Sequence, residues 1–149
     1  MSVHNYFDSI GISATGLSAE RVRMNTIANN IANMHTTRSP DGGPYRRQYV
    51  VFEEVLDRAR RMSGSSENQM GGVRIAEMGR SNLAPKLIED PDHPDAIMAG
   101  PNKGMVAMPN INPVSEMVDM ISAQRAYEAN VQAIAAARSI IMRSLDIGK

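Results

Sequence analysis

A helix-start signal, Asn112 followed by Pro113, stands ahead of a long run of regularly spaced apolar residues, and this stretch constrains the fold more than any other. The asparagine oxygen can cap the first turn, and proline fits a position where its missing N–H and fixed φ are no loss. Met117, Met120, Gln124, Tyr127, Val131, Ile134, Arg138, Ile141 and Leu145 then recur at alternating steps of three and four. That spacing predicts one long helix packed along another, with polar interruptions at Gln124 and Arg138 and a stop at Gly148. Beside this seam runs a second stripe, Val114, Val118, Ile121, Ala129, Ala133, Ala136 and Ile140. One partner helix covers one seam, so the stripe is expected to meet neighbouring subunits; a helix in the middle of a monomeric core would show the same pattern.

The N-terminal segment repeats the spacing. Phe7, Ile10, Ala14, Leu17, Arg21, Met24, Ala28 and Ile31 form its seam, with Val22 and Ile27 on the flank, and the helix is expected to end near Asn33 or Met34. Gly11 and Gly16 each cost about 1 kcal/mol relative to alanine. Packing against other chain must supply the difference, and the glycines are candidate points of close backbone approach. Asn29, Asn30 and Asn33 cluster where asparagine serves as a cap or bonds across to another helix.

Between the helices the text changes. Residues 35–45 read as a loop, 45–52 as a strand, 53–62 as a short polar helix and 63–72 as an exposed loop. Val73–Met78, Leu83–Ile88 (broken by Pro85) and Met105–Met108 read as short strands. The expected fold is therefore mainly α with a small β insertion, its long N- and C-terminal helices paired in a coiled-coil-like domain. The expected organisation is 1–36 as N-terminal helix, 37–111 as loop and β-rich insertion, and 112–149 as C-terminal helix.

Composition removes several functions. The 16 Lys and Arg balance 16 Asp and Glu, so no nucleic-acid partner is expected. The chain has no cysteine, hence no disulfide and no thiolate chemistry. Residues 1–10 hold no Lys, Arg or long apolar run, and no secretory signal or membrane span is expected. Methionine, at 12 residues, supplies adaptable filling between helices.

Catalysis finds little to stand on. Asp90, Asp92, His93 and Asp95 offer carboxylates and an imidazole, but Pro91 and Pro94 stiffen the segment and no second cluster completes a ligand set. A tight Asp and Pro turn explains them better, although a small metal-dependent enzyme using Asp92, His93 and Asp95 is the competing class. Gly42 and Gly43 followed by Arg46 and Arg47 match no phosphate loop; the arginines read as charges guarding a solvated edge strand. No cofactor, metal or catalytic residue is expected.

Both ends of the chain carry a resemblance. The run from Leu17, Ser18 and Ala19 through Asn29, Asn30, Ile31, Ala32 and Asn33, with Thr36 and Thr37 behind, resembles the N-terminal signature of the flagellar basal-body rod protein family. Glu116, Met117 and Val118 through Arg125, Ala126, Tyr127, Glu128, Ala129 and Asn130 resemble its C-terminal signature. The interior runs 42–47, 90–96 and 109–112, and the short middle segment, are similar to those of proximal-rod members.

This resemblance implies a structural subunit that packs helically around the export channel, within the periplasmic part of the basal body, and transmits torque. Its implied partners are further copies of itself, other proximal- and distal-rod proteins, the membrane-ring adapter protein and the flagellar type III export apparatus. The expected assembly interface comprises Leu17, Met24, Ile27, Ile31, Asn29 and Asn33 on the first helix. On the second it comprises Met117, Met120, Ile121, Tyr127, Asn130, Val131, Ile134, Ile141 and Leu145.

Overall fold

In the computed structural model, which describes residues 4–55 and 71–147, two long helices enclose a stretch of short strands in sequence. Helix α1 spans His4–Ala32 and helix α2 spans Pro113–Ile147. At about 1.5 Å per residue they are roughly 45 and 50 Å long. The start of α2 follows from its capping chemistry: Val114 N donates to Asn112 Oδ1 at 3.0 Å, and Glu116 N donates to Asn112 O at 3.1 Å. Replacing Asn112 by Ala should destabilise the monomer by about 1 kcal/mol in urea unfolding, because an N-terminal donor loses its acceptor. At the other boundary α1 ends at Ala32, a residue or two before the expected stop. Asn33 uses both its backbone N and its Nδ2 to bond Asn29 O, at 3.1 and 2.9 Å, closing the last turn. The expected stop at Gly148 lies outside the described residues.

Strands β1 (Gln48–Val55) and β2 (Gly72–Arg80) form one two-stranded sheet. The polar helix expected at 53–62 is overturned where it is described: Glu53, Glu54 and Val55 continue β1. Pairing with β2 overrides their weak strand preference, and Glu53 Oε2 takes a 2.8 Å bond from Arg74 Nη2 across the sheet. The rest of that segment, and most of the loop expected at 63–72, lie outside the described residues, but Gly72 already belongs to β2. A Cβ at position 79 would run into the Tyr49 ring, which crosses from β1. Gly79→Ala should therefore displace that ring and cost ~1–3 kcal/mol, and Tyr49→Ala should relieve most of it.

Strands β3 (Lys86–Glu89) and β4 (Met105–Met108) form the second sheet, antiparallel, with Ile88 opposite Val106 and Lys86 opposite Met108. Strand β3 begins only after Pro85, which has no N–H to give to a ladder. Fully buried Val106 anchors this sheet.

The chain divides into two compact units. One comprises Met1–Met24, Val50–Glu77 and Ile121–Lys149. Among the described residues its buried apolar side chains are alanines, Ala19, Ala123 and Ala137. Within it the Asn130 amide lies over Gly16, where a Cβ would meet Nδ2 at 3.0 Å, and Thr15 Oγ1 accepts from Val73 N at 3.1 Å. The other unit comprises Asn25–Tyr49 and Met78–Met120 and buries larger and more polar groups: Ile27, Val106, Ile111, Thr26, Asn30 and Glu116.

Burial corrects the seams read from sequence. On α2 the covered positions include Glu116, Met120, Ala123, Tyr127, Asn130, Ile134, Ala137 and Ile141. The expected seam shares Met120, Tyr127, Ile134 and Ile141 with this face. At the alternate steps it chose Met117, Gln124, Val131 and Arg138, each one residue beyond the covered position and each exposed. At these inner positions stand two alanines and two polar side chains, and the polar ones are hydrogen-bonded, Glu116 to Asn30 and Arg47 and Asn130 to Ala126 O. On α1 the same shift leaves Ala14, Arg21 and Ala28 exposed, while Ala19, Thr26, Ile27 and Asn30 are buried.

Candidate functional site

Two features concentrate the chemistry of this chain: a buried polar node and an exposed apolar flank. The node lies wholly within the second unit. Asn30 and Glu116 are each only 1% exposed. The Asn30 amide uses all its capacity: Nδ2 donates to Gln48 O at 2.8 Å and Glu116 Oε2 at 3.0 Å, while Oδ1 accepts from Gln48 N at 2.8 Å and Tyr45 Oη at 3.1 Å. By bonding both N and O of Gln48 it acts as a strand neighbour would, and so fixes where β1 starts against α1. Arg47 Nε donates to the other carboxylate oxygen of Glu116 at 2.6 Å, and Arg47 Nη2 stands 3.6 Å from Asp119 Oδ2. Every polar atom of the buried asparagine and carboxylate is thus partnered, the condition under which such groups are tolerated in a core.

The arginine pair was read as edge protection, and the structure corrects that reading. Arg47 turns inward to Glu116, and Arg46 bonds Ser81 O at 3.0 Å and the Asn82 side chain. Gly42 and Gly43, with φ of 83° and 76°, make the turn that delivers them. No sequence rule flagged Glu116, because a lone charge among apolar residues reads as a solvated position. The available signal was its place four residues before Met120 on the inner face, together with Asn30 near the end of α1.

Tyr45 feels the node. Burial pushes its phenol above the ordinary value, opposed by the Arg80 guanidinium and reinforced by the Glu116 carboxylate. Because the folded state holds this proton more tightly than the unfolded chain, the associated stability is complete below about pH 10 and is lost as pH rises through the folded value. Ultraviolet titration should show one phenol ionising later than in a Tyr45→Phe chain, with unfolding monitored over the same range.

The acidic segment makes contacts within the chain. Asp95 accepts from Thr37 Oγ1 at 2.8 Å and lies 3.4 Å from Arg38 Nη2, while Asp95 N donates to His93 Nδ1 at 3.0 Å. It ties the loop after α1 to a tight turn. Among the described residues no group of three or more His, Asp or Glu is placed to hold a metal ion, and no helix is long and apolar enough to cross a membrane.

The flank runs along α2. Val114, Met117, Val118 and Ile121, at helical spacing, are 67%, 54%, 61% and 52% exposed. Ala129, Ala133, Ala136 and Ile140 continue the stripe, also exposed. Of the other side chains expected at an interface, Ile27 is buried; Leu17, Met24, Ile31, Asn33, Met120, Tyr127, Asn130, Ile134 and Ile141 are half-buried; Asn29, Val131 and Leu145 are exposed.

Comparison with known proteins gives this arrangement a context. Residues 10–38 match the family profile described as flagella basal body rod protein, and residues 102–147 match the flagellar basal body rod FlgEFG protein C-terminal profile. The flagellar basal-body rod protein FlgC of Borreliella burgdorferi is 46% identical over 146 residues, covering 95% of this chain and 96% of the relative. The chain belongs to the FlgC family of flagellar basal-body rod proteins. FlgC of Bacillus subtilis is 39% identical, with 96% of this chain and 98% of the relative covered, and FlgC of Escherichia coli is 35% identical over the full length of both. FlgC proteins are structural rod subunits of the basal body, not enzymes. The two matched profiles include both parts of the node on the helices, Asn30 in the first and Glu116 in the second.

Proposed function

We propose that this chain is a proximal-rod subunit that pairs its terminal helices in an antiparallel, coiled-coil-like arrangement and packs helically around the export channel to transmit torque. The observation that carries this reading is the apolar flank of α2, which a lone chain leaves in water. Fully burying a side chain of this size contributes about 1.5–3 kcal/mol, so a neighbouring subunit that covers the flank gains substantially. Two contacts support the helix pairing. Asn30 bonds Glu116 within the second unit, and Gly16 lies under Asn130 within the first.

Family membership supports location in the basal-body rod, and we infer the periplasmic segment, with other proximal- and distal-rod proteins and the membrane-ring adapter as neighbours. Passage through the flagellar type III export apparatus is part of the same reading. On it, the subunit interface draws on the residues named above on both helices, with the exposed members of α2 as its centre. Tagged chain should be recovered in purified basal bodies at the membrane-proximal end of the rod, and tracing in a density map should place the α2 flank against other subunits. Recovery at the distal end or in the hook would overturn the proximal placement.

A further inference from the structure

The exposed faces of the two helices differ in a complementary way. On α2, Met117, Ile121 and Glu128 share an exposed face, and Gln124, between them, bonds Glu128 at 3.2 Å. On α1 the exposed face carries Ala32, Ala28 and Arg21, with no bulky apolar residue among them. Arg21 has no ion pair among the described residues.

We propose that the α1 face of one copy lies antiparallel in the α2 flank of a second copy, with Ala32 opposite Met117, Ala28 opposite Ile121 and Arg21 opposite Glu128. The proposal rests on the rod-subunit reading and adds which face meets which. Three features carry it. From 117 the α2 positions advance by four and then seven residues, and from 32 the α1 positions retreat by four and then seven, so one antiparallel register aligns all three pairs. Two methyl side chains receive two bulky apolar ones, which lets the helices approach. The same register brings an exposed guanidinium to an exposed carboxylate, and a second copy supplies that charge in the required place. Because the two faces belong to different helices, the contact is heterologous and propagates from copy to copy, as a helical polymer requires.

The chain has no cysteine, so single-cysteine variants report cleanly. Ala28→Cys and Ile121→Cys chains, each carrying a different tag, are co-expressed, and isolated basal bodies are oxidised. The expected result is a disulfide-linked dimer containing both tags, absent when either variant is expressed alone. Swimming should also fall at least tenfold for Arg21→Glu and for Glu128→Arg, and recover when both changes are in one chain. Incorporation of both cysteine variants without a cross-link, or a cross-link only to a different rod protein, overturns this contact and leaves the rod-subunit reading standing. Absence of the unmodified chain from basal bodies overturns both.

Discussion

An Arg47→Met chain should unfold at markedly lower urea, losing about 3 kcal/mol, the low end of the ~3–5 kcal/mol seen when one partner of a buried ion pair is removed. The low end applies because the Arg47 side chain is 32% exposed, whereas that of Glu116 is 1% exposed. The loss arises from what remains: a carboxylate sealed from water with only the Asn30 amide to hold it. The double variant Arg47→Met, Glu116→Leu should recover most of the stability, since it leaves no charge stranded and Asn30 Nδ2 keeps its bond to Gln48 O. A loss below 1 kcal/mol for the single change, or no recovery in the double, would show that the pair is not what holds β1 against α1 and α2.

Val118→Asp should have the opposite profile. At 61% exposed, Val118 contributes little to the isolated chain, and a surface change of this kind is expected to move monomer stability by no more than ~0.5 kcal/mol. In a rod whose subunits cover the flank, however, the new carboxylate is buried without a partner, at a cost of several kcal/mol for each contact. Cells carrying only this variant should make folded protein yet lack rods and fail to swim, while Val118→Ala should be mild. Motile cells with normal rods would mean the flank stays in water. The two predictions separate the two features: the first tests the node in the folding of one chain, and the second tests the flank in its joining to others.

Both long helices and the cap of α2 were legible because they depend on local chemistry, an Asn and a Pro at the right places and a period near 3.6. The inner face was legible only at every second step. Counting apolar residues favoured Met117 and Val131 over Glu116 and Asn130, but polar side chains are covered where they find hydrogen-bond partners, as Glu116 does in Asn30 and Arg47, information that resides in distant parts of the chain. The strand at Glu53 and Glu54 was hidden for the same reason: their local preference is helical, and the ladder to β2 overrules it. The node escaped because its parts come from separate stretches, α1, the start of β1 and α2; Asn30 and Glu116 are 86 positions apart. No local window holds both.

The alanines that line the first unit have a mechanical consequence. The side chains fully covered there among the described residues, Ala19, Ala123 and Ala137, are single methyl groups, and each returns only about 0.8 kcal/mol when it leaves water. Opening this unit therefore gives up little from its fully covered apolar side chains, whereas opening the second unit must part the bonds that seal the Glu116 carboxylate.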